Sequence, residues 1–238
     1  MLFTSIFLWV ARDRVLPKYR MAVMVSATVT SIAAYHYFRM FDSFHEAYAS
    51  GDLAAGFAGY NVGYRYVDWL LTVPLLLVEL VAVMGLVAAV QKSLLTRLVP
   101  AAAAMIILGY PGDMKMNIFY EGDAGLWGAL STIPFLYILY VLFVEIGKSL
   151  PSQSAKVQKL LKSARLLLLA TWGVYPIAFI FAMNSTAVPT IQEVAAREIG
   201  YSIADILAKC AFGLIIFVIA RIKSAEESKE FAAAEFKN

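Results

Sequence analysis

Apolar residues in this chain fall in blocks separated by short polar connectors, roughly 1–11, 21–42, 61–90, 98–112, 125–147, 164–184 and 195–220. About 20 apolar residues in helical form cross about 30 Å of hydrocarbon. The pattern predicts an all-α, seven-transmembrane-helix bundle with no room for a second domain. The fourth block is short and the first is shorter still. About eleven residues precede Arg12, enough helix for roughly half a membrane. No cation precedes that block and no small-residue cleavage site follows it, so it does not read as a signal peptide. The expectation is a first helix that is incomplete at its amino terminus, with residues missing upstream. Residues 1–223 are expected to form the membrane domain, and 224–238 a polar tail that frays into solvent.

Composition agrees with this reading. Of 238 residues, 61% are hydrophobic and 16% charged, and the mean hydropathy is +0.71. A soluble domain has fewer apolar and more charged residues, so a lipid bilayer is the expected partner. Cys210 is the single cysteine, which excludes an intramolecular disulfide, and two histidines with one cysteine make a metal site an unlikely fit, so none is expected. The net charge of +3 does not point to nucleic acid, because the cations sit in the connectors. Arg12, Arg14, Lys18 and Arg20 follow the first block, Lys92 and Arg97 the third, and Lys148, Lys156, Lys159, Lys162 and Arg165 the fifth. Arg221, Lys223, Lys229 and Lys237 close the chain, while the other side has only Arg39, Lys115 and Arg197. The positive-inside rule then places the carboxyl terminus in the cytoplasm and the amino terminus outside.

Against that apolar background, Lys209 stands in the middle of the last block. Asp205 lies four residues earlier, on the same helix face and about 6 Å away. A charge at that depth costs several kcal/mol unless it is paired or used. Two readings follow: a structural ion pair, or an amine that forms a Schiff base with an aldehyde.

The third block adds Arg65, Asp68, Thr72 and Glu79. Asp68 and Glu79 are almost three turns apart, so they share a face with Thr72, and about 16 Å of rise separates the two carboxylates. Each residue has a plain alternative. Arg65, one turn outward of Asp68, would keep it ionised but can also simply snorkel to the outer interface, Thr72 can bond its own helix, and Glu79 can stay permanently protonated. Aligned as a set, they form the file of titratable groups that a proton relay needs. Depth places His36, Asp68, Asp205 and Lys209 at similar levels, a candidate active centre.

Arg65-Tyr-Val-Asp-Trp-Leu-Leu-Thr-Val-Pro-Leu75 together with Asp205-Ile-Leu-Ala-Lys209 resembles the microbial (type 1) rhodopsins, and within them the proteorhodopsin and xanthorhodopsin branch of light-driven proton pumps. Tyr35-His-Tyr-Phe38, Gly109-Tyr-Pro-Gly112, Ser131-Thr-Ile-Pro134, Tyr137-Ile-Leu-Tyr140 and Trp172-Gly-Val-Tyr-Pro176 extend the resemblance over nearly the whole chain. It implies all-trans retinal on Lys209 as a protonated Schiff base, Asp68 as counterion and proton acceptor, and Asp205 as second counterion. It also implies Glu79 as proton donor, Arg65 on the exit path, and His36 hydrogen-bonded to Asp68, where its titration would make pumping pH-dependent. Asp68, Thr72 and Glu79 match the Asp-Thr-Glu pattern of outward proton pumps.

The resemblance further implies a retinal slot lined by Trp69, Ser131, Thr132, Phe135, Trp172, Tyr175 and Pro176. Leu76 matches the colour-tuning position of the green-absorbing type. Gly128 either opens a window for a carotenoid antenna or allows close helix packing. The implied protein is a transporter and photoreceptor, not an enzyme, in the inner (plasma) membrane of a bacterium. Trimers or pentamers are expected by family analogy. The rival reading is a sensory rhodopsin that signals through a partner, and a non-photochemical seven-helix receptor or carrier is the third. For proton release, Glu121, Asp123, Glu193 and Glu198 are outer candidates without a distinguishing pattern.

Overall fold

The computed structural model describes residues 1–114, 116–178 and 190–236. Among the described residues there is no strand. Helix α1 spans Leu2–Ala11 and α2 spans Pro17–Tyr48, with Pro17 in its first turn, where the missing N–H costs nothing. A short helix, α3 (Leu53–Gly59), is capped by Asp52, whose Oδ1 accepts the N–H groups of Ala54 and Ala55. Then come α4 (Gly63–Met84), α5 (Ala88–Asp113) and α6 (Ala124–Tyr140), which runs on through a π-turn, Val141–Glu145, into a 3-10 turn, Ile146–Ser152. Helix α7 covers Ala155–Trp172 and the chain is helical again over 174–178. Helix α8 (Ile191–Asp205), a π-turn (Ile206–Ala211) and α9 (Phe212–Glu227) make one rod, and α10 (Lys229–Phe236) follows.

Seven helical segments therefore build the bundle: α1, α2, α4, α5, α6, α7 and the α8–α9 rod. Five of these runs are long and apolar enough to cross a membrane on those grounds alone. The other two are α1, which has 10 residues, and α7, whose first turns carry Lys156, Lys159 and Lys162. Helix α4 is central. In its most apolar window 67% of residues are buried, against 17% for α5, so α4 is ringed by protein while α5 faces outward. On α2 the buried face carries small residues, Ala22, Ser26, Ala27, Thr30 and Ala33, which let α4 approach closely.

Helix boundaries depart from the apolar blocks where physics other than hydropathy decides. The fourth block, 98–112, is only the apolar part of α5, which begins ten residues earlier through Gln91, Lys92 and Arg97. Hydropathy marks the lipid-embedded length and is blind to helical turns beyond it. The third block, 61–90, is cut short at Gly85, which takes a left-handed φ of 64° and ends α4. The sixth starts at Ala155 instead of 164, and its part beyond 178 lies outside the described residues.

The tail needs a correction. It does not fray: α9 runs past the expected boundary to Glu227, and α10 folds back on the bundle. Ser224 is buried, accepts the Leu16 N–H at 2.8 Å and donates to the Ala220 carbonyl. Glu235 accepts from Arg14 at 2.6 Å and from Arg221 at 2.7 Å. Charge complementarity to the basic first connector holds a segment whose composition alone reads as solvent-exposed.

Candidate functional site

Lys209 lies in the π-turn between α8 and α9 and is 1% exposed. Its Nζ donates to Asp68 Oδ2 on α4 and, at 3.1 Å, to Asp205 Oδ2 one turn back. The two carboxylates have different surroundings. Asp205 also accepts from Tyr37 Oη at 2.8 Å, from Trp69 Nε1 at 3.3 Å and from Tyr175 Oη. Among the described residues the Asp68 carboxylate has no donor besides Lys209, and its Oδ1 has no hydrogen-bond partner. One acid is locked by four donors and the other has spare accepting capacity.

The hydrogen bond expected between His36 and Asp68 does not form. His36 Nδ1 lies 3.8 Å from Asp68 Oδ1, beyond hydrogen-bond range, because it donates to the Ile32 carbonyl at 2.9 Å. Thr72 Oγ1 donates to the Asp68 carbonyl at 2.8 Å, on its own helix, and not to the carboxylate. Arg65 is turned away from Asp68. Its Nη2 donates to Glu198 Oε2 and, at 3.2 Å, to Tyr60 Oη, and the guanidinium lies 4.5 Å from the Tyr201 ring centroid. Lys209 holds Oδ2 of Asp68, while Glu198 and Tyr60 are the acceptors that Arg65 meets.

Glu79 is fully buried on the same helix, eleven residues from Asp68. Ser26 Oγ on α2 donates to its Oε2, and its Oε1 has no partner among the described residues. Of the outer acids, Glu198 meets Arg65. Asp123 instead pins its own loop, accepting from Phe119 N at 2.9 Å and Trp127 Nε1 at 3.1 Å, and Glu193 caps α8 with Thr190. Glu121 is exposed.

A cavity of about 320 Å³ opens from Lys209 and Asp205. Trp69, Leu76, Gly128, Ser131, Thr132, Phe135, Trp172, Tyr175 and Pro176 all line it. Its walls are apolar beyond the Lys209 end, because Ser131 Oγ is spent on the Met105 carbonyl at 2.7 Å and Thr132 Oγ1 on the Gly128 carbonyl at 2.8 Å.

A model of the family described as bacteriorhodopsin-like protein matches residues 1–223. The chain belongs to that family. A green-light absorbing proteorhodopsin from Gamma-proteobacterium EBAC31A08 is 30% identical to this rhodopsin over 225 residues, 92% of this chain and 82% of that protein. Among solved structures, xanthorhodopsin, described as a light-driven ion pump with dual chromophore, is 50% identical, with a TM-score of 0.84 over 94% of this chain and 88% of that one. A thermophilic rhodopsin is 43% identical, with a TM-score of 0.85 over 95% of this chain and 90% of that one. This rhodopsin is thus a multi-pass membrane protein of a retinal-using family.

The residues present fit that group: a long, mainly apolar slot that ends at the buried amine of Lys209 and its two carboxylates. Sequence reasoning missed Tyr37 and Ser26. Tyr37 stands beside His36 in a motif read for the histidine alone, and Ser26 sits on an apolar helix face where a hydroxyl reads as a packing residue. Tyr60 lies outside every apolar span and carries no signal of its own.

Proposed function

We propose that this rhodopsin is a light-driven proton pump that moves protons outward across the inner membrane of a bacterium. The observation that carries the proposal is a fully buried Lys209 bonded to two unlike carboxylates at the closed end of an apolar slot. Retinal, joined to Lys209 Nζ through its aldehyde with loss of water, supplies visible absorption and a light-driven change of shape that loosens Nζ from its proton.

The other steps belong to this chain's own side chains. Asp68 takes the proton from Nζ, because it is in direct contact and has an oxygen free to accept. Asp205 is not the acceptor, because its oxygens are already taken by four donors. Trp69, Trp172 and Tyr175 exclude water from the slot, so the proton passes between fixed groups. Glu79 is fully buried on the same helix face as Asp68, held by the Ser26 hydroxyl, and it returns a proton to Nζ. On the outer side, Arg65 and Glu198 form the polar path by which Asp68 discharges. The basic connectors support a cytoplasmic position for the Glu79 side.

Flash photolysis tests the assigned order. A Glu79→Gln protein should keep its colour while the return of a proton to Nζ slows by about 100-fold, within the range that a positioned acid contributes. An unchanged rate would remove Glu79 from the relay, and with it the feature that separates a pump from a photosensor.

A second chromophore belongs to the same proposal. Gly125, Gly128, Ala129 and Thr132 follow one face of α6 and line the cavity, and Gly125, Ala129 and Thr132 are exposed, so the slot reaches the outside of the bundle there. A carotenoid lying along this face would contact the far end of the slot. With a carotenoid added, the excitation spectrum of the retinal emission should gain the carotenoid's bands. A spectrum without them would leave Gly128 as a packing residue.

A further inference from the structure

The carboxyl end of α4, the helix that carries Glu79, is closed by side chains from three other elements. Lys223 on α9 is 7% exposed, and its Nζ donates to the Met84 carbonyl at 2.7 Å and to Gln153 Oε1 at 2.6 Å. Gln153 Nε2, from the connector before α7, donates to the same carbonyl at 3.3 Å. Tyr19 on α2 completes the layer. Its ring centroid lies 5.4 Å from Lys223 Nζ, and its hydroxyl donates to Glu227 at 2.5 Å. Gly85 leaves room for this arrangement: a Cβ there would stand 3.3 Å from Tyr19 Oη and 3.4 Å from Lys223 Nζ.

A cation on the last carbonyls of a helix is ordinary capping. Two features go further. A lysine at a membrane edge normally extends its ammonium into water, yet this one is turned inward onto two neutral acceptors. Its position matters as well. Met84 is five residues past Glu79, about 7.5 Å of helical rise, and Leu80, Val81, Val83 and Met84 are all buried. Water reaching Glu79 along the end of α4 has to pass this layer.

We propose that Lys223 and Gln153 form a clamp that closes the cytoplasmic route to Glu79, and that proton return to Glu79 waits for it to open. The inference rests on the reading of Glu79 as proton donor. Lys223 is a positioning residue in this scheme and never carries the transported proton.

The test compares the unmodified protein, Lys223→Met and Gln153→Ala, each loaded with retinal in lipid. Gln153 is half-buried in a connector, so its variant keeps the test available if Lys223→Met fails to fold. One readout is amide hydrogen exchange over residues 80–86 in the dark. The other is the rate at which Glu79 regains its proton after a flash, followed by its infrared carbonyl band and assigned by the band's absence in Glu79→Gln. Both rates should rise about tenfold in each variant, the factor equivalent to about 1.4 kcal/mol and within the range of one hydrogen bond. Lys223→Arg, which keeps the donors, should restore much of the slower rate. Faster amide exchange with an unchanged Glu79 rate would reduce Lys223 to a helix cap and overturn the clamp alone. No change in either rate would overturn it too. A missing light-dependent Glu79 band in the unmodified protein would overturn the donor reading, and the clamp with it.

Discussion

A Lys209→Ala protein should stay colourless when all-trans retinal is added, while the unmodified protein gains a visible band. The loss should be complete, because no other amine is available: Lys209 is the lysine that lines the cavity. The change also removes the cation from between Asp68 and Asp205. Taking one partner from a buried ion pair costs about 3–5 kcal/mol, because the remaining charge is left uncompensated. The variant should therefore melt at a lower temperature, and helix content has to be checked before its lack of colour is interpreted. A folded Lys209→Ala protein that takes up retinal and shows a stable red-shifted band would move the attachment site elsewhere.

Asp68→Asn should have an almost equally large effect on transport while leaving the pigment in place. Asparagine matches aspartate in size and can still accept the Lys209 hydrogen bond, so the fold should hold. It cannot accept a proton as the carboxylate does, and light-driven transport should fall by 100-fold or more, as expected when a positioned base is lost. Removing a negative charge in direct contact with Nζ also takes away ground-state stabilisation, so the band should shift to the red. Asp205 cannot substitute, since its oxygens are held by Tyr37, Trp69, Tyr175 and Lys209. Undiminished transport by a coloured Asp68→Asn protein would assign the acceptor role to another group.

Much of this architecture was legible in the sequence because lipid imposes simple rules. Apolar length marks the spans, and an ammonium at mid-membrane depth favours carboxylate partners, so Lys209, Asp68 and Asp205 came together as expected. What hydropathy could not show was where hydrogen-bond competition sends a polar side chain. His36 is near Asp68, but its Nδ1 prefers the carbonyl one turn back. Arg65 is one turn from Asp68, yet Glu198, remote in sequence, captures it together with Tyr60 from the preceding loop. The tail followed the same logic, since Glu235 finds Arg14 more than two hundred residues away. Each depends on which residues meet in three dimensions, and no local pattern records that.

The central claim is that light moves protons from Lys209 through Asp68 to the outside. Cells that make the protein and are given retinal, suspended in an unbuffered medium, provide the direct measurement. Illumination should acidify the medium, and a protonophore should abolish the signal. A coloured, membrane-inserted protein that leaves the external pH unchanged, or raises it, would contradict the account.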